Sequence, residues 1–593
     1  MLPHVNRAPT PGGRPLPTRA RADGKLPADV TRPLLWGAVA MLAFRVLAAT
    51  LPGRWLWGFD LGRDVGPWAF AASLLLPIAA CVSHFGRAVA SRWPSGRLAT
   101  SLAAGASALA LAIFMLAHPD LTLFTGDAAL RHGAFSTVEH PEQIAQQAMR
   151  GDLFLHYTLP RWLAAATPWS AEDVGRGQGA LLALLTALAG WRLAAVLGAR
   201  GLVAAAVAAI AACGAALALD NGYAKATVEV ACLTSLLAPG VAQLAIDGRG
   251  LGTVGGAVAL ALLLHRSALA LVPVWLVGSG LAVRASRGRE PATVLGIAAP
   301  VLALVLVAPH AWHVFTSFDV YHHVTAEGTA APFAAALRPL HLLDVANALG
   351  VLSPASVLLP LLLLLPPRPG RRAAALTLAL AGPPLALLLA VPPQQGLPRD
   401  WDVFAFAGSS LSAIAAWRVA AILAPRPRAH WVALPLALAV AGPALQWAAL
   451  PSDPRRALER AEEILVGPPV RDREERAQGL ARLGMTHYTR GDFAGGRRLF
   501  QRSLDVSPHP RMLVEWGLIA NYYGHPDEAL GYFRRSAAIR PDLASAWQGI
   551  ADAAAALGDS ASLGDAIAHL ERLEPESAAL SAARERLEAL RRR

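Results

Sequence analysis

Long apolar runs follow one another from about residue 33 to residue 450 of this chain. An α-helix needs about 20 apolar residues to cross the hydrocarbon core of a bilayer, and most of the runs have about that length. The chain is 54% hydrophobic and only 16% charged, which excludes ordinary soluble domains as its sole content. The sequence therefore predicts an all-α, polytopic transmembrane helix bundle of about thirteen spans. The predicted spans are 33–50, 67–85, 98–118, 174–196, 201–219, 223–246, 251–264, 267–283, 291–311, 341–365, 373–391, 403–423 and 430–450.

The basic residues predict how this bundle is oriented. The formal net charge of the chain is +12. The arginines cluster in short loops between apolar runs and in residues 1–32, which are rich in Pro, Arg and Gly. This pattern is typical of membrane orientation and does not indicate nucleic-acid binding. Residues 1–32 are predicted to be a disordered tail, since no apolar run precedes Pro33. Treating 251–283 as two short helices places the Arg284 and Arg371 clusters on the side of the tail, which is predicted to be cytoplasmic.

The C-terminal region has a different pattern and, by the alternation of spans, is predicted to be extracytoplasmic. After Pro451 the apolar period becomes that of amphipathic helices, and one residue pattern recurs every 33 to 34 residues. Residues 451–475 are predicted to be a linker helix and 476–593 a repeat domain. The pattern resembles the tetratricopeptide repeat family, which implies an α-solenoid that binds a protein partner; a spacer or an assembly surface is the alternative. The matching residues are Leu483, Gly484, Gly491, Phe500, Pro508, then Gly517, Gly524, Ala529, Phe533, Pro541, and then Trp547, Gly558 and Pro575.

The longest predicted extracytoplasmic loop, 119–173, is rich in polar residues. It contains Asp127, Arg131 and His132 within a short stretch. Apolar and charged side chains alternate irregularly in 142–163, which suits either a helix in the membrane interface or a loop helix packed on the bundle. The loop is therefore a candidate for a reactive face.

A second predicted extracytoplasmic loop concentrates charge just before a span, at Arg399, Asp400, Trp401 and Asp402. Carboxylates at a membrane face can act as general bases or hold a divalent metal, and an arginine can bind a phosphate through two hydrogen bonds. The alternative is a helix start, with Asp402 as the capping residue and Trp401 as an interface anchor.

Further ionisable residues lie at or within the predicted spans, where charge is costly. Lys225 and Glu229, which follow Tyr223, are four residues apart and are predicted to share a helix face, either along a substrate path or as a plain ion pair. His265 and Arg266 mark the vertex between two short helices. An interrupted helix often borders a binding site, although a snorkelling arginine produces the same pattern.

Together, the many spans, the Gly126–Asp127 motif in an outer loop, the amphipathic stretch after it and the Arg399–Asp402 motif resemble the GT-C class of polytopic glycosyltransferases. The resemblance covers 33–450. It implies a bacterial inner-membrane enzyme that transfers a sugar from a polyprenyl-phosphate donor to an extracytoplasmic protein or glycan, with the repeat domain recruiting the acceptor or a protein partner. It implies no certain cofactor, and a divalent metal ion stays an open alternative. The implied catalytic residues are Asp127 and Asp400, and the implied substrate-binding residues are Arg131, His132, Tyr223, Lys225, Glu229, His265, Arg266, Arg399, Trp401 and Asp402.

Two other functions are compatible with the same sequence. The interrupted apolar segment 251–283 and the pair Lys225 and Glu229 suit a transporter or flippase, but such a protein should carry its polar residues at mid-membrane. A non-catalytic scaffold for envelope assembly would use the repeats alone, and about thirteen spans are excessive for an anchor.

Overall fold

The computed structural model describes residues 29–128, 131, 148–285, 287–316, 336–393 and 395–592. Within these ranges the chain is helical and contains no β-strand. Nine helices of the described residues are long and apolar enough to cross a membrane. They are Thr31–Thr50, Arg97–Ala117, Ala171–Val196, Thr227–Asp247, Arg266–Arg284, Pro291–Val314, Arg371–Ala390, Leu397–Leu423 and Pro427–Ser452.

The other predicted spans fall on shorter or bent elements. Pro67–Cys81 and Ser83–Arg92 form a pair bent by 87°, and Gly201–Ala212, Leu251–Leu264 and Pro339–Leu352 are apolar helices of 10–17 residues. The predicted break between two helices near residue 265 is confirmed, since Leu251–Leu264 ends at His265. The predicted span 341–365 is instead divided into Pro339–Leu352, a 3-10 turn and the helix Leu359–Leu364, with prolines at the first or second position of each piece.

Burial distinguishes the centre of the bundle from its rim. In the apolar part of the helix Leu397–Leu423, 89% of the residues are buried, compared with only 17% in the helix Arg97–Ala117. Leucines such as Leu98 and Leu102 are exposed on that outer helix, as expected for side chains that face lipid. The helix Leu397–Leu423, which has the Arg399–Asp402 motif near its start, is therefore the central helix of the bundle.

Small residues let the helices approach each other closely. A Cβ atom at Gly255 would lie 2.0 Å from the carbonyl oxygen of Gly296, so the helices Leu251–Leu264 and Pro291–Val314 touch through backbone at these glycines. Close contact at small residues is typical of helix packing in membranes, because there is no hydrophobic driving force between helices in lipid. Trp275 adds a hydrogen bond of 2.9 Å to the same carbonyl of Gly296.

The loops separate into two groups at the two ends of the bundle. At one end, backbone hydrogen bonds join Asp120 to Asn221, Leu121 to Pro451 and Gly126 to Arg399. At the other end, Trp431 packs near Gly86, Arg287 bonds to the carbonyl of Asp247, and Arg418 bonds to that of Pro367. Loops predicted to be extracytoplasmic thus contact each other, as do loops predicted to be cytoplasmic.

The C-terminal region consists of consecutive helices in antiparallel pairs. Phe500 stacks on Trp516 with ring centroids 4.2 Å apart, and Phe533 fills the space that Gly517 and Gly549 leave open. Glycines and aromatics thus make contacts between these helices. The helices are Pro454–Val466, Arg473–Thr489, Phe493–Val506, Pro510–Tyr522, Pro526–Ile539, Ala544–Leu557, Ser560–Leu573 and Ala578–Arg591.

The junction between the bundle and this region is held by buried ion pairs. The predicted linker 451–475 contains the helix Pro454–Val466, whose Arg460 lies 2.7 Å from Asp60 and also contacts Asp64. Arg54 bridges the same cluster, at 2.6 Å from Asp64 and 2.6 Å from Glu463. The helix Pro454–Val466 is therefore fixed to the loop that follows the helix Thr31–Thr50.

Candidate functional site

A lysine held between two carboxylates forms the centre of the polar end of the bundle. Lys225 Nζ lies 2.8 Å from Asp127 Oδ2 and 3.2 Å from Asp402 Oδ2. The side chain of Asp402 has no exposed surface and that of Lys225 is 9% exposed, whereas Asp127 is 33% exposed. Asp127 is thus the member of this cluster that a molecule from solvent can reach.

Tyr223 connects the two carboxylate-bearing segments. Its hydroxyl donates to Asp402 Oδ2 at 2.7 Å and accepts a 3.2 Å hydrogen bond from the backbone N–H of Asp127. Gly126 has φ +52, and a Cβ there would lie 2.4 Å from the Tyr223 hydroxyl and 2.5 Å from Asp402 Oδ1. Glycine at 126 therefore allows both the turn and the close approach of the loop to these two side chains.

Arg399 holds the loop that carries Asp127. Its guanidinium donates to the carbonyl of Phe124 at 3.2 Å and to that of Gly126, while the Gly126 N–H donates to the Arg399 carbonyl at 3.0 Å. Within the described part of the chain, Arg399 Nη1 is buried and has no hydrogen-bond partner. One donor of this arginine thus remains available next to the cluster.

A second network lies beside the first and is built on Asp152. This fully buried carboxylate accepts from Arg131 at 3.0 Å and from the backbone N–H of Ala226 at 3.2 Å. His156 lies 3.1 Å from Glu229 and 4.0 Å from Asp152. Asp152 therefore fixes Arg131 and the start of the helix Thr227–Asp247, and with it the position of Lys225.

The charges of the first network control its protonation. Burial alone would raise the pKa of Asp127, but Lys225 and Arg131 hold the pKa of this carboxyl well below its ordinary value. Burial would lower the pKa of Lys225, but Asp127 and Asp402 raise it above its ordinary value. At neutral pH the free protein therefore holds an ionised Asp127 paired with an ammonium group.

Several predicted site residues meet in these networks. Asp127, Tyr223, Lys225 and Asp402 are joined by direct hydrogen bonds or ion pairs. Arg399 bonds to Phe124 and Gly126, which precede Asp127 in the same loop. Arg131 belongs to the neighbouring network through Asp152, and its backbone N–H donates to the carbonyl of Asp127 at 2.9 Å. Segments distant in the sequence thus form one site.

Other predicted residues have different surroundings. Glu229 pairs with His156 and not with Lys225, because Lys225 precedes the helix that contains Glu229. Asp402 does not cap a helix, and Trp401 is 4% exposed and packs near Trp447, so neither matches the helix-start alternative.

Four further predicted site residues remain: Asp400, His265, Arg266 and His132. Within the described residues, no hydrogen bond or ion pair links Asp400 or His265 to the first network, and His265 Nδ1 accepts from the Ser267 N–H at 3.2 Å. Arg266 is half-buried at the turn after His265. His132 lies outside the described residues.

Sequence reasoning missed Asp152 and His156 as site residues. Both lie in the amphipathic stretch 142–163, of which the structure describes 148–163 as short helices with a π turn at Phe154–Thr158. They are four residues apart and buried, whereas neighbouring Phe154 is exposed. A carboxylate and a histidine on one helix face were the available signal.

The donor groups at this site suit an anionic ligand better than a bare metal ion. In the described ranges, no group of three or more His, Cys, Asp or Glu side chains converges as metal ligands would. The position between Asp127 and Asp402 is occupied by the ammonium group of Lys225. Lys225, Arg131 and Arg399 are the cations that act electrostatically on Asp127, and Nη1 of Arg399 has no hydrogen-bond partner among the described residues.

The fold and the site define an all-helical protein with apolar helices of membrane-spanning length and a buried charged cluster at one end of the bundle. Comparison of the chain with family models, with curated proteins and with solved structures found no match. Its function is therefore argued from the site itself.

Proposed function

We propose that this protein is a membrane glycosyltransferase of the GT-C type. It would move a sugar from a polyprenyl-phosphate donor to an extracytoplasmic protein or glycan acceptor. The observation that carries the proposal is the accessible Asp127 carboxylate, paired with Lys225 beside the fully buried Asp402. A base and a cation at one membrane face are what this transfer needs.

In the proposed reaction, an acceptor hydroxyl attacks the anomeric carbon of the sugar. The bond from that carbon to the phosphate oxygen breaks, and the polyprenyl phosphate leaves with the bonding electron pair. Asp127 takes the proton of the attacking hydroxyl. Lys225 and Arg399 Nη1 stabilise the charge that develops on the phosphate. The donor and acceptor lie on opposite sides of the sugar ring, so the configuration at the anomeric carbon inverts.

Lys225 would also control the basicity of Asp127. In the free protein Lys225 pairs with Asp127, which keeps the pKa of this carboxyl low. A donor phosphate that takes the Lys225 ammonium would weaken this pairing and raise the pKa of Asp127 toward the range useful for a general base. Asp402 and Tyr223 would hold Lys225 in place throughout.

The proposal includes a membrane orientation. We infer that the nine long helices, the bent pair and the three shorter apolar helices all cross the bilayer, and that the site lies at the extracytoplasmic end. The contacts among alternate loops support this assignment, and so does the excess of arginine in the other set of loops. The C-terminal helix pairs then form an extracytoplasmic tetratricopeptide-type domain beside the site, where they could recruit an acceptor or a partner.

A transfer assay on the full chain tests this function. Proteoliposomes would receive radiolabelled polyprenyl-phosphate sugars, hexoses and pentoses in turn, with membranes of the source cell as acceptor. Transfer is measured as label that moves from the lipid fraction to the lipid-insoluble fraction. We expect the transfer rate of the Asp127→Asn variant to be at least about 100-fold lower than that of the wild type, in line with the usual contribution of a general base.

Glu172→Gln is the matched control, since Glu172 is a half-exposed carboxylate at the same end of the bundle. It should transfer at the wild-type rate. Undiminished transfer by Asp127→Asn would remove this residue from the mechanism, and a wild-type protein that consumes none of the donors would overturn the proposed function.

A further inference from the structure

A basic cavity lies at the end of the bundle opposite the Asp127 site. Its volume is about 440 Å³, and it opens between the ends of three membrane helices. We call it the arginine cavity; its lining includes Arg368, Arg371, Arg372, Leu363, Ile414 and Trp417. Its three arginines belong to the loop between the predicted spans 341–365 and 373–391, which is predicted to be cytoplasmic.

The three arginines have positive charge that no described neighbour neutralises. Arg368, Arg371 and Arg372 are exposed and form no hydrogen bond or ion pair with a described residue. Asp247, the carboxylate next to the lining residue Ile246, is paired with Arg249 at 3.8 Å. The cavity therefore concentrates uncompensated positive charge.

The loop that presents these arginines is held in a fixed shape. The buried Arg418 donates to the carbonyls of Leu362 at 3.0 Å, Leu365 at 2.7 Å and Pro367 at 2.7 Å. Its guanidinium is thus committed to the backbone and shapes the mouth of the cavity. The helix Arg371–Ala390 starts at this mouth and adds the positive end of its dipole.

Apolar side chains form the rest of the lining. Ile414 and Trp417 line the inner wall, and the exposed Leu363 lies where the cavity opens toward the rim of the bundle. A soluble anion would gain nothing from these apolar side chains. A lipid, in contrast, would place its phosphate among the arginines and its acyl chains along Leu363.

We propose that the arginine cavity binds the headgroup of an anionic phospholipid. Basic pockets between membrane helices on the cytoplasmic side recognise acidic headgroups, because the phosphate is neutralised where the acyl chains stay in lipid. The ligand is a phosphodiester with a net negative charge. This site is separate from the proposed donor site and does not depend on the proposed transfer reaction.

Native mass spectrometry of the detergent-solubilised full chain tests the proposal. The protein would be titrated with phosphatidylglycerol, with phosphatidylcholine or with inorganic phosphate. We expect phosphatidylglycerol to bind with at least about tenfold higher affinity than phosphatidylcholine. Inorganic phosphate should produce no mass shift of the protein. No preference for the acidic lipid would overturn the proposal, and equal binding of inorganic phosphate would show a site for a soluble anion.

Two variants locate the lipid. Arg368→Gln/Arg371→Gln/Arg372→Gln should abolish the preference, whereas Arg92→Gln/Arg97→Gln/Arg289→Gln should keep it, since these three arginines are exposed and do not line the cavity. Equal loss in both triple variants would show a general surface effect. Ala373→Trp keeps all arginines and fills the cavity, so it should also abolish the preference; retained binding in this variant would place the lipid elsewhere.

Discussion

The Lys225 ammonium group lies 3.2 Å from the carboxylate of Asp402, which has no exposed surface. These residues are 177 positions apart in the chain. Lys225 precedes the helix Thr227–Asp247, and Asp402 lies near the start of the helix Leu397–Leu423. A buried charge is tolerated when its partner is present, and removal of one partner leaves the other uncompensated.

Replacement of the lysine should therefore destabilise the protein more than replacement of both partners. Lys225→Met leaves Asp402 without its cation, and we expect the free energy of unfolding in detergent micelles to fall by about 3–5 kcal/mol. Lys225→Met/Asp402→Asn removes both charges and should recover much of the loss. A double variant as unstable as Lys225→Met would contradict an essential pairing of these two groups.

Gly126 should be intolerant of alanine for two separable reasons. Gly126→Ala places a side chain at positive φ and within 2.5 Å of Asp402 Oδ1, which should displace Asp402 or Tyr223. Gly524 has φ +80 but open space around it, so Gly524→Ala reports the cost of backbone strain alone, about 1–2 kcal/mol. We expect Gly524→Ala to keep its transfer rate and Gly126→Ala to lose it. Equal transfer rates would mean that the close contact has no role.

The buried arginine at the junction should keep the C-terminal helices attached. Arg460→Met leaves Asp60 and Asp64 to share Arg54, at a cost of several kcal/mol for buried carboxylates. Proteinase K should then cut between Val466 and Arg473 at least about tenfold faster than in the wild type. Arg534→Met removes an exposed ion pair and should not change the rate. Unchanged cleavage of Arg460→Met would show that other contacts hold the junction.

Glu475 should make stability depend on pH. Burial raises the pKa of Glu475 from 4.5 to about 8, although Arg471 opposes this shift. The folded state therefore binds a proton more tightly than the unfolded state, and this stabilisation is complete below about pH 4.5 and is lost as the pH rises to about 8. Glu475→Gln mimics the protonated form, so its thermal unfolding temperature should fall less over this range. Asp472→Asn, at an exposed carboxylate, is the control. If the unfolding temperature of Glu475→Gln fell with pH as steeply as that of Asp472→Asn, Glu475 would not be the group responsible.

The long apolar helices were predictable because their signal is local. Apolar runs need only length and composition, and the break at His265 followed from a polar pair in the middle of one long run. The division of 341–365 by Pro354 was less visible, since the apolar residues continue past the proline. Prolines at helix starts decide this boundary.

The site was predictable only as a set of candidates. Loop position identified Asp127 and Asp402, and a costly charge within a predicted span identified Lys225. Their partners depend on how the helices pack, and Asp127 and Lys225 are 98 residues apart. The predicted face shared by Lys225 and Glu229 failed for a local reason, since the helix starts after Lys225. The role of Asp152 could not be predicted from the sequence, because this residue fixes Arg131 and the start of a helix, and these contacts depend on the fold.

The loop that carries Asp127 also contacts the C-terminal helices, and this has a consequence for biosynthesis. Phe124 packs against the cluster that includes Leu458, Leu483 and Leu499, and Arg490 donates to the carbonyl of Leu121 at 2.7 Å. During translation, Asp127 emerges long before these residues exist. The loop that carries Asp127 therefore gains these contacts only near the end of synthesis, after every apolar helix of the bundle has been made.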